Sequence, residues 1–248
     1  MEKMSNLVEY YAGEVTVKPW QEAALRFQSS CAGFVPSWYV VPDDVAPYFV
    51  VEDILIGQSS QHCSGDGVPA SLFAESVRGR FPGVSLAHDL LCEGAHLEVR
   101  VRNITDVERC FRCSVVGNLV QPGQSCAGGS YLVVGLETRA ARTRAGLDAV
   151  VNKVVWLGMT PTHLYVPDGV LDDFRVDELS VFSKDGSLYS SASSEMLLDR
   201  SLRAGAEICL APDRAARAGS LLTLRARQVE GGPSYFRGAV LGTLGDAS

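Results

Sequence analysis

The chain has 248 residues, 46% of them hydrophobic, and a formal net charge of −7. The hydrophobic share is ordinary for a packed globular protein, the length suits two domains of about 120 residues, and the acidic balance gives nucleic acid no electrostatic hold. Its longest apolar runs, such as Leu132 to Leu136, are far short of the roughly 20 residues that span a bilayer, and Met1 to Asn6 has no apolar leader core, so a soluble protein made in a cytoplasm is expected.

Met1 to Tyr11 reads as an N-terminal arm ahead of the first module. Glu14 to Lys18 alternates and predicts a first strand. Trp38 to Val41 is a short aromatic and β-branched run closed by Pro42-Asp43-Asp44. Phe49 to Ile56 predicts another strand, stopped by Gly57. The stretch up to Gly83 is rich in Gly, Ser and Pro, with a short helix expected over Ala70 to Val77 that docks Ser71-Leu72-Phe73 on the sheets. Val84 to Ala87 reads as a strand. His96 to Arg102 alternates strictly: Leu97, Val99 and Val101 face one way, and Glu98, Arg100 and Arg102 the other, as in a half-buried antiparallel strand. Phe111 to Val120 closes the module. Gly117 inside that run signals a bulge or a close backbone approach.

The second half repeats the first at an offset of 125 residues. Pro36 to Asp43 recurs as Pro161 to Asp168, Phe49 to Ile54 as Phe174 to Leu179, and Phe111 to Gly117 as Phe236 to Gly242. Across 36–56, 94–102 and 111–119, 16 of 39 pairs are identical. A period this long is a whole domain rather than a solenoid unit, so each copy can bury its own core. The organisation read from this is an arm over 1–11, a first module over 12–124 and a second over 125–248. Six to eight short strands per module and few helices predict an all-β fold: two tandem antiparallel β-sandwich modules, of which the jelly roll is the common eight-stranded form. An immunoglobulin-like sandwich stays open, although its Cys…Trp…Cys pattern is missing.

The residue types that carry chemistry do not assemble into a site. The four histidines, His62, His88, His96 and His163, form no ligand pair, and the repeat exchanges His163 for Trp38. There is no nucleophile elbow, phosphate loop or dinucleotide fingerprint. Asp43 and Asp168 follow prolines and suit turns. Glu52-Asp53 and Asp177-Glu178 are neighbours on strands, so they are expected to point apart, one of each pair turning inward or pairing with Arg100/Arg225 or Arg112/Arg237. The seven cysteines are odd in number and not duplicated, which predicts reduced, buried thiols; Cys110 and Cys113 have metal spacing but face opposite sides of a strand. Asn103-Ile104-Thr105 is a glycosylation sequon, meaningful only in a secreted protein. Arg139, Arg142 and Arg144 form the one basic cluster, read as a solvated face. Trp38 reads as core rather than a sugar platform. No catalytic residue, metal or cofactor site is expected.

What the repeat keeps is core and turn chemistry; what it lets go is polar and exposed. On the duplicated Pro36–Ile56/Pro161–Val181 and Gly94–Leu119/Gly219–Leu244 blocks, the chain resembles the double jelly-roll major capsid proteins of tailless icosahedral phages, many with an internal membrane. The resemblance implies a non-enzymatic coat protein. Three copies would make a pseudo-hexagonal ring of six sandwiches tiling a virion shell assembled in the host cytoplasm. It also implies contacts with other virion proteins, an arm that reaches neighbours or a membrane, and no specific nucleic-acid binding. The alternatives are another virion structural protein (vertex, spike or tail-associated) and a two-module carbohydrate-binding protein.

Overall fold

The computed structural model describes residues 7–29, 33–61, 66–81, 83–120, 129–138, 148–154, 158–183, 188–193, 206–207, 217–229 and 235–244. Its strands in the first half are β1 (Leu7–Val17), β2 (Glu22–Gln28), β3 (Gly33–Val40), β4 (Phe49–Ile56), β5 (Ser59–Ser60), β6 (Val68–Pro69), β7 (Leu91–Cys92), β8 (His96–Asn103) and β9 (Arg109–Leu119). The second half adds β10 (Tyr131–Glu137), β11 (Asp148–Val154), β12 (Met159–Tyr165), β13 (Phe174–Phe182), β14 (Leu188–Ser193), β15 (Ala206–Glu207), β16 (Leu221–Gln228) and β17 (Arg237–Leu244). The helical elements among the described residues are α1 (Glu75–Arg78), α2 (Asp168–Asp173) and 3₁₀ turns at Ala46–Tyr48 and Ala70–Phe73. The expectation of an all-β chain of antiparallel sandwiches holds.

The chain divides into two compact units, and each builds two sheets. In the first unit the strand orders are β1-β9-β3-β7 and β2-β8-β4-β5. In the second they are β10-β17-β12-β15 and β11-β16-β13-β14. Both units therefore follow one path: the first strand beside the last, the second beside the next to last, and so inward. That is a hairpin of strand pairs rolled over on itself, the jelly-roll connection.

The repeat extends to irregularities. β3 slips its register on β9 between Pro36 and Trp38, and β12 slips on β17 between Pro161 and His163. The extra residue is Ser37 in one unit and Thr162 in the other. Ser37 Oγ donates to the Val116 carbonyl at 3.1 Å, and Thr162 Oγ1 to the Leu241 carbonyl at 3.2 Å. Opposite each slip lies a glycine, Gly117 against Pro36 and Gly242 against Pro161. A Cβ at Gly117 would lie under 3 Å from the Val35 carbonyl and the Phe34 ring. The close approach read from the sequence is thus real, and it sits against a bulge on the neighbouring strand.

The core follows the strand alternation. In β8, Leu97, Val99 and Val101 are buried while His96 and Arg100 are exposed. An equivalent aromatic pair ties the two sheets together in each unit. Phe49 of β4 meets Phe111 of β9 edge-on at 5.1 Å, and Phe174 of β13 meets Phe236, just before β17, at 5.7 Å. Each ring is fully buried, worth about 1.5–3 kcal/mol of transfer free energy.

Several expectations need correction. Leu7 to Tyr11, assigned to an arm, are the start of β1 and pair with Ser114 to Asn118 of β9. Their alternation is real, but every second residue faces water, which dilutes the strand signal. Val84 to Ala87 is not a strand; Leu86 makes one isolated bridge to Tyr131, and β7 lies further on. The helix over 70–77 breaks into a 3₁₀ turn at Ala70–Phe73 and α1, because Ala74 is pulled into extended backbone beside Val41. Val41 N donates to the Phe73 carbonyl at 2.8 Å and Glu75 N to the Val41 carbonyl at 3.1 Å. β2 was missed, its alternation blunted by Ala23 and Ala24. The division of the chain falls between Tyr131 and Leu132, and the second unit also takes in Cys63–Val68 from the first half.

Candidate interaction surface

The histidines stand on separate elements. His88 lies in the loop before β7, its ring 5.5 Å from that of Tyr39. His96 opens β8. His163 in β12 has Nδ1 2.8 Å from Thr162 Oγ1. His62 lies outside the described residues, as do Arg139, Arg142 and Arg144. Among the described residues no three of His, Cys, Asp and Glu gather as a metal site would. Trp38 is core: its ring packs on Phe73 at 5.5 Å and Phe81 at 6.3 Å. Beside it Tyr39 is buried within the first unit, and burial, then the neighbouring Cys113, holds its phenol well above the usual range.

The duplicated carboxylates turn out to be part of the framework, with partners other than those expected. β4 slips on β8 between Val51 and Asp53, and β13 on β16 between Val176 and Glu178, so Glu52 and Asp177 are the extra residues of equivalent bulges. A bulge breaks strict alternation, so the expected in-and-out division of each pair does not apply: both members of both pairs are half-buried. Glu52 pairs with Arg102, and Asp177 with Arg227 at 3.5 Å. Arg100 and Arg26 instead share Glu98, and their hydrogen bonds, Arg100's first, hold its carboxyl below the usual range. Arg112 reaches Asp44 at 2.9 Å, and Arg237 reaches Glu137 at 3.0 Å. Asp53 accepts hydrogen bonds from Ser60 Oγ and Ile54 N, closing the β4–β5 turn. Asp43 accepts from Ser76 N and Oγ, so it fixes α1 as well as its own turn.

Asn103 of the sequon is fully buried at the end of β8. Its amide donates to the carbonyls of Val17 and Val107, and its Oδ1 accepts from Thr105 N. It clamps the β1–β2 and β8–β9 turns together and offers no nitrogen to a glycan.

Buried thiols are only partly what is found. Cys113 is buried, and burial pushes its thiol up to about 12, but Cys92 and Cys110 are exposed; the other four lie outside the described residues. Cys110 and Cys113 do face opposite sides of β9. A thiol reagent followed by peptide mapping should modify Cys92 and Cys110 in the folded protein and Cys113 only on unfolding, since the thiolate is the nucleophile. Labelling of Cys113 at the rate of Cys92 would contradict this placement.

Among the described residues of the first unit, three of the features open to solvent bear on binding. A shallow cleft is lined by Arg26, Gln28, Gly57, His96 and Glu98. Trp20, 53% exposed, occupies the turn between β1 and β2 with φ +58°, a left-handed backbone that costs a bulky residue about 1–2 kcal/mol. On β1, Leu7 is 50% and Tyr11 61% exposed, four residues apart on one face. Sequence reading missed these because exposed apolar residues carry no periodic signal of their own. Such side chains can bury area against a partner but do no bond chemistry.

No family model matches the chain, and no curated protein matches it. Among solved structures it is similar to the crystal structure of the major capsid protein P2 from bacteriophage PM2, at 8% identity over 95% of this chain and 100% of that one, with a TM-score of 0.38. A likeness that slight assigns neither a fold nor a function.

Proposed function

We propose that the chain is a structural virion protein, a major capsid protein that assembles as pseudo-hexameric trimers into an icosahedral shell. One observation carries the reading: the same jelly-roll strand path occurs twice in one chain, with bulges, bulge ion pairs and inter-sheet aromatic pair repeated position for position. A single-purpose binding or catalytic module gains nothing from a second copy of its framework alone. A tile does, because two fused domains of one shape keep near six-fold geometry in a trimer while their contact surfaces diverge. Duplication of one ancestral module accounts for the pattern. The burial of Trp38 beneath Phe73 and Phe81 speaks against the sugar-platform alternative.

Mass photometry and electron microscopy of the purified protein test this. Trimers of the 26.6 kDa chain, rings or shells are expected. Only single chains at micromolar concentration would overturn the reading.

A further inference from the structure

We propose that the outer face of β1, carrying Leu7 and Tyr11, docks against the second unit of another copy of this chain in a head-to-tail contact. The inference deepens the assembly reading above and rests on it.

β1 and β10 are counterparts, each at the edge of its sheet beside the last strand of its unit. Thr138 N donates to the Phe236 carbonyl at 3.1 Å, which sets Thr138 where Val15 stands opposite Phe111 in the first unit. Counting back over the extra residue of β1, between Tyr11 and Gly13, brings Gly135 to the position of Tyr11.

The two positions have opposite surroundings. A Cβ at Gly135 would lie under 3 Å from the carbonyl oxygens of Asp66 and Gly67. A segment from the first half of the chain, counted within the second unit, therefore lies directly on β10. Asp66 fastens it, accepting from Glu137 N at 3.3 Å and pairing with Lys153. Leu132 to Glu137 are buried on both faces as a result. Among the described residues nothing comparable covers Leu7 and Tyr11, and Tyr11 extends its hydroxyl to Glu14 at 3.4 Å. One repeat thus has its outer edge strand covered within the chain. In the other, the equivalent strand is left with its apolar side chains in water.

Charge selects the occupant. Residues 1–124 carry 9 basic and 15 acidic side chains, a net of −6, while 125–248 carry 13 and 14, a net of −1. Glu9, between Leu7 and Tyr11 on the same face, pairs with Arg78 at 3.6 Å, and Glu14 lies just beyond Tyr11. Contact between two first halves sets like charge on like, whereas a second half meets the patch with little repulsion. A contact between unlike surfaces is heterologous, and it makes a ring when its rotation closes.

The double variant Leu7→Asp/Tyr11→Asp, at exposed positions, should keep the circular dichroism spectrum of the wild type. Its assembly in mass photometry should shift to at least tenfold higher concentration. Assembly at the wild-type concentration would overturn the contact while leaving the capsid reading standing. A wild type that stays single at every concentration would overturn both. As a second readout, a photo-crosslinking phenylalanine analogue placed at Tyr11 is mixed with isotope-labelled chains. Crosslinks between chains to peptides from 132–248 are expected, and crosslinks to 1–131 would refute the head-to-tail arrangement even if the double variant fails to fold.

Discussion

Phe111→Ala is expected to cost the first unit about 3–5 kcal/mol of stability, and Phe236→Ala to cost the second unit the same. The two rings hold equivalent places, each fully buried and each set edge-on against a ring of the facing sheet, Phe49 or Phe174. Truncation removes a ring, leaves a cavity between sheets that cannot collapse without breaking strand pairs, and forfeits an edge-to-face contact worth about 0.5–1.5 kcal/mol beyond its area. Against a typical total of 5–15 kcal/mol such a loss is large. Urea titration followed by fluorescence and circular dichroism measures it. A double-mutant cycle with Phe49→Ala should show the two losses in the first unit to be far from additive. Costs below about 1 kcal/mol at both positions would mean that the rings do not clamp the sheets.

Gly117→Val is expected to leave little folded protein, and Gly117→Ala to lower the melting temperature by roughly 10 °C, as an overpacking penalty of about 2–3 kcal/mol implies for a domain of this size. The new Cβ meets the Val35 carbonyl and the Phe34 ring, and neither can swing away: one is backbone in a paired strand and the other is fully buried. Gly242→Ala should cost less, because one of its two obstacles is the end of the Met159 side chain, although the Thr160 carbonyl remains. Gly57→Ala serves as the control. Gly57 has φ +62° and nothing within 4 Å of an added Cβ, so it carries the left-handed penalty without a clash, about 1 kcal/mol. Differential scanning calorimetry on the three alanine variants should rank them 117, then 242, then 57. Equal shifts would attribute the cost to backbone conformation alone.

Much of the framework can be read from residues because half-buried strands alternate. His96 to Arg102 announces β8 to within a residue, and Phe49 to Ile56 is β4 to the residue. The 125-residue echo then transfers β3, β4, β8 and β9 to β12, β13, β16 and β17 of the second unit. The features that escaped belong to pairing rather than to sequence. A bulge is a property of two strands, so Glu52 and Asp177 cannot be recognised as extra residues from their own strand. Without that, Arg100 looks as good a partner as Arg102. β1 announces only its later half, since Leu7, Glu9 and Tyr11 all face water. The three described histidines lie in the loop before β7, on β8 and on β12.

The fastening of Asp66 also orders events in time. Its acceptor contact with Glu137 spans 71 residues, so on a ribosome adding about 5–20 residues per second the carboxylate waits roughly 4–14 s for its partner to be made. Through that interval the first jelly roll has its own strands to close, while a short stretch near its middle belongs to a structure not yet synthesised. The nascent first domain therefore matures with one loop held in reserve, and completion of the second domain is the step that retires it.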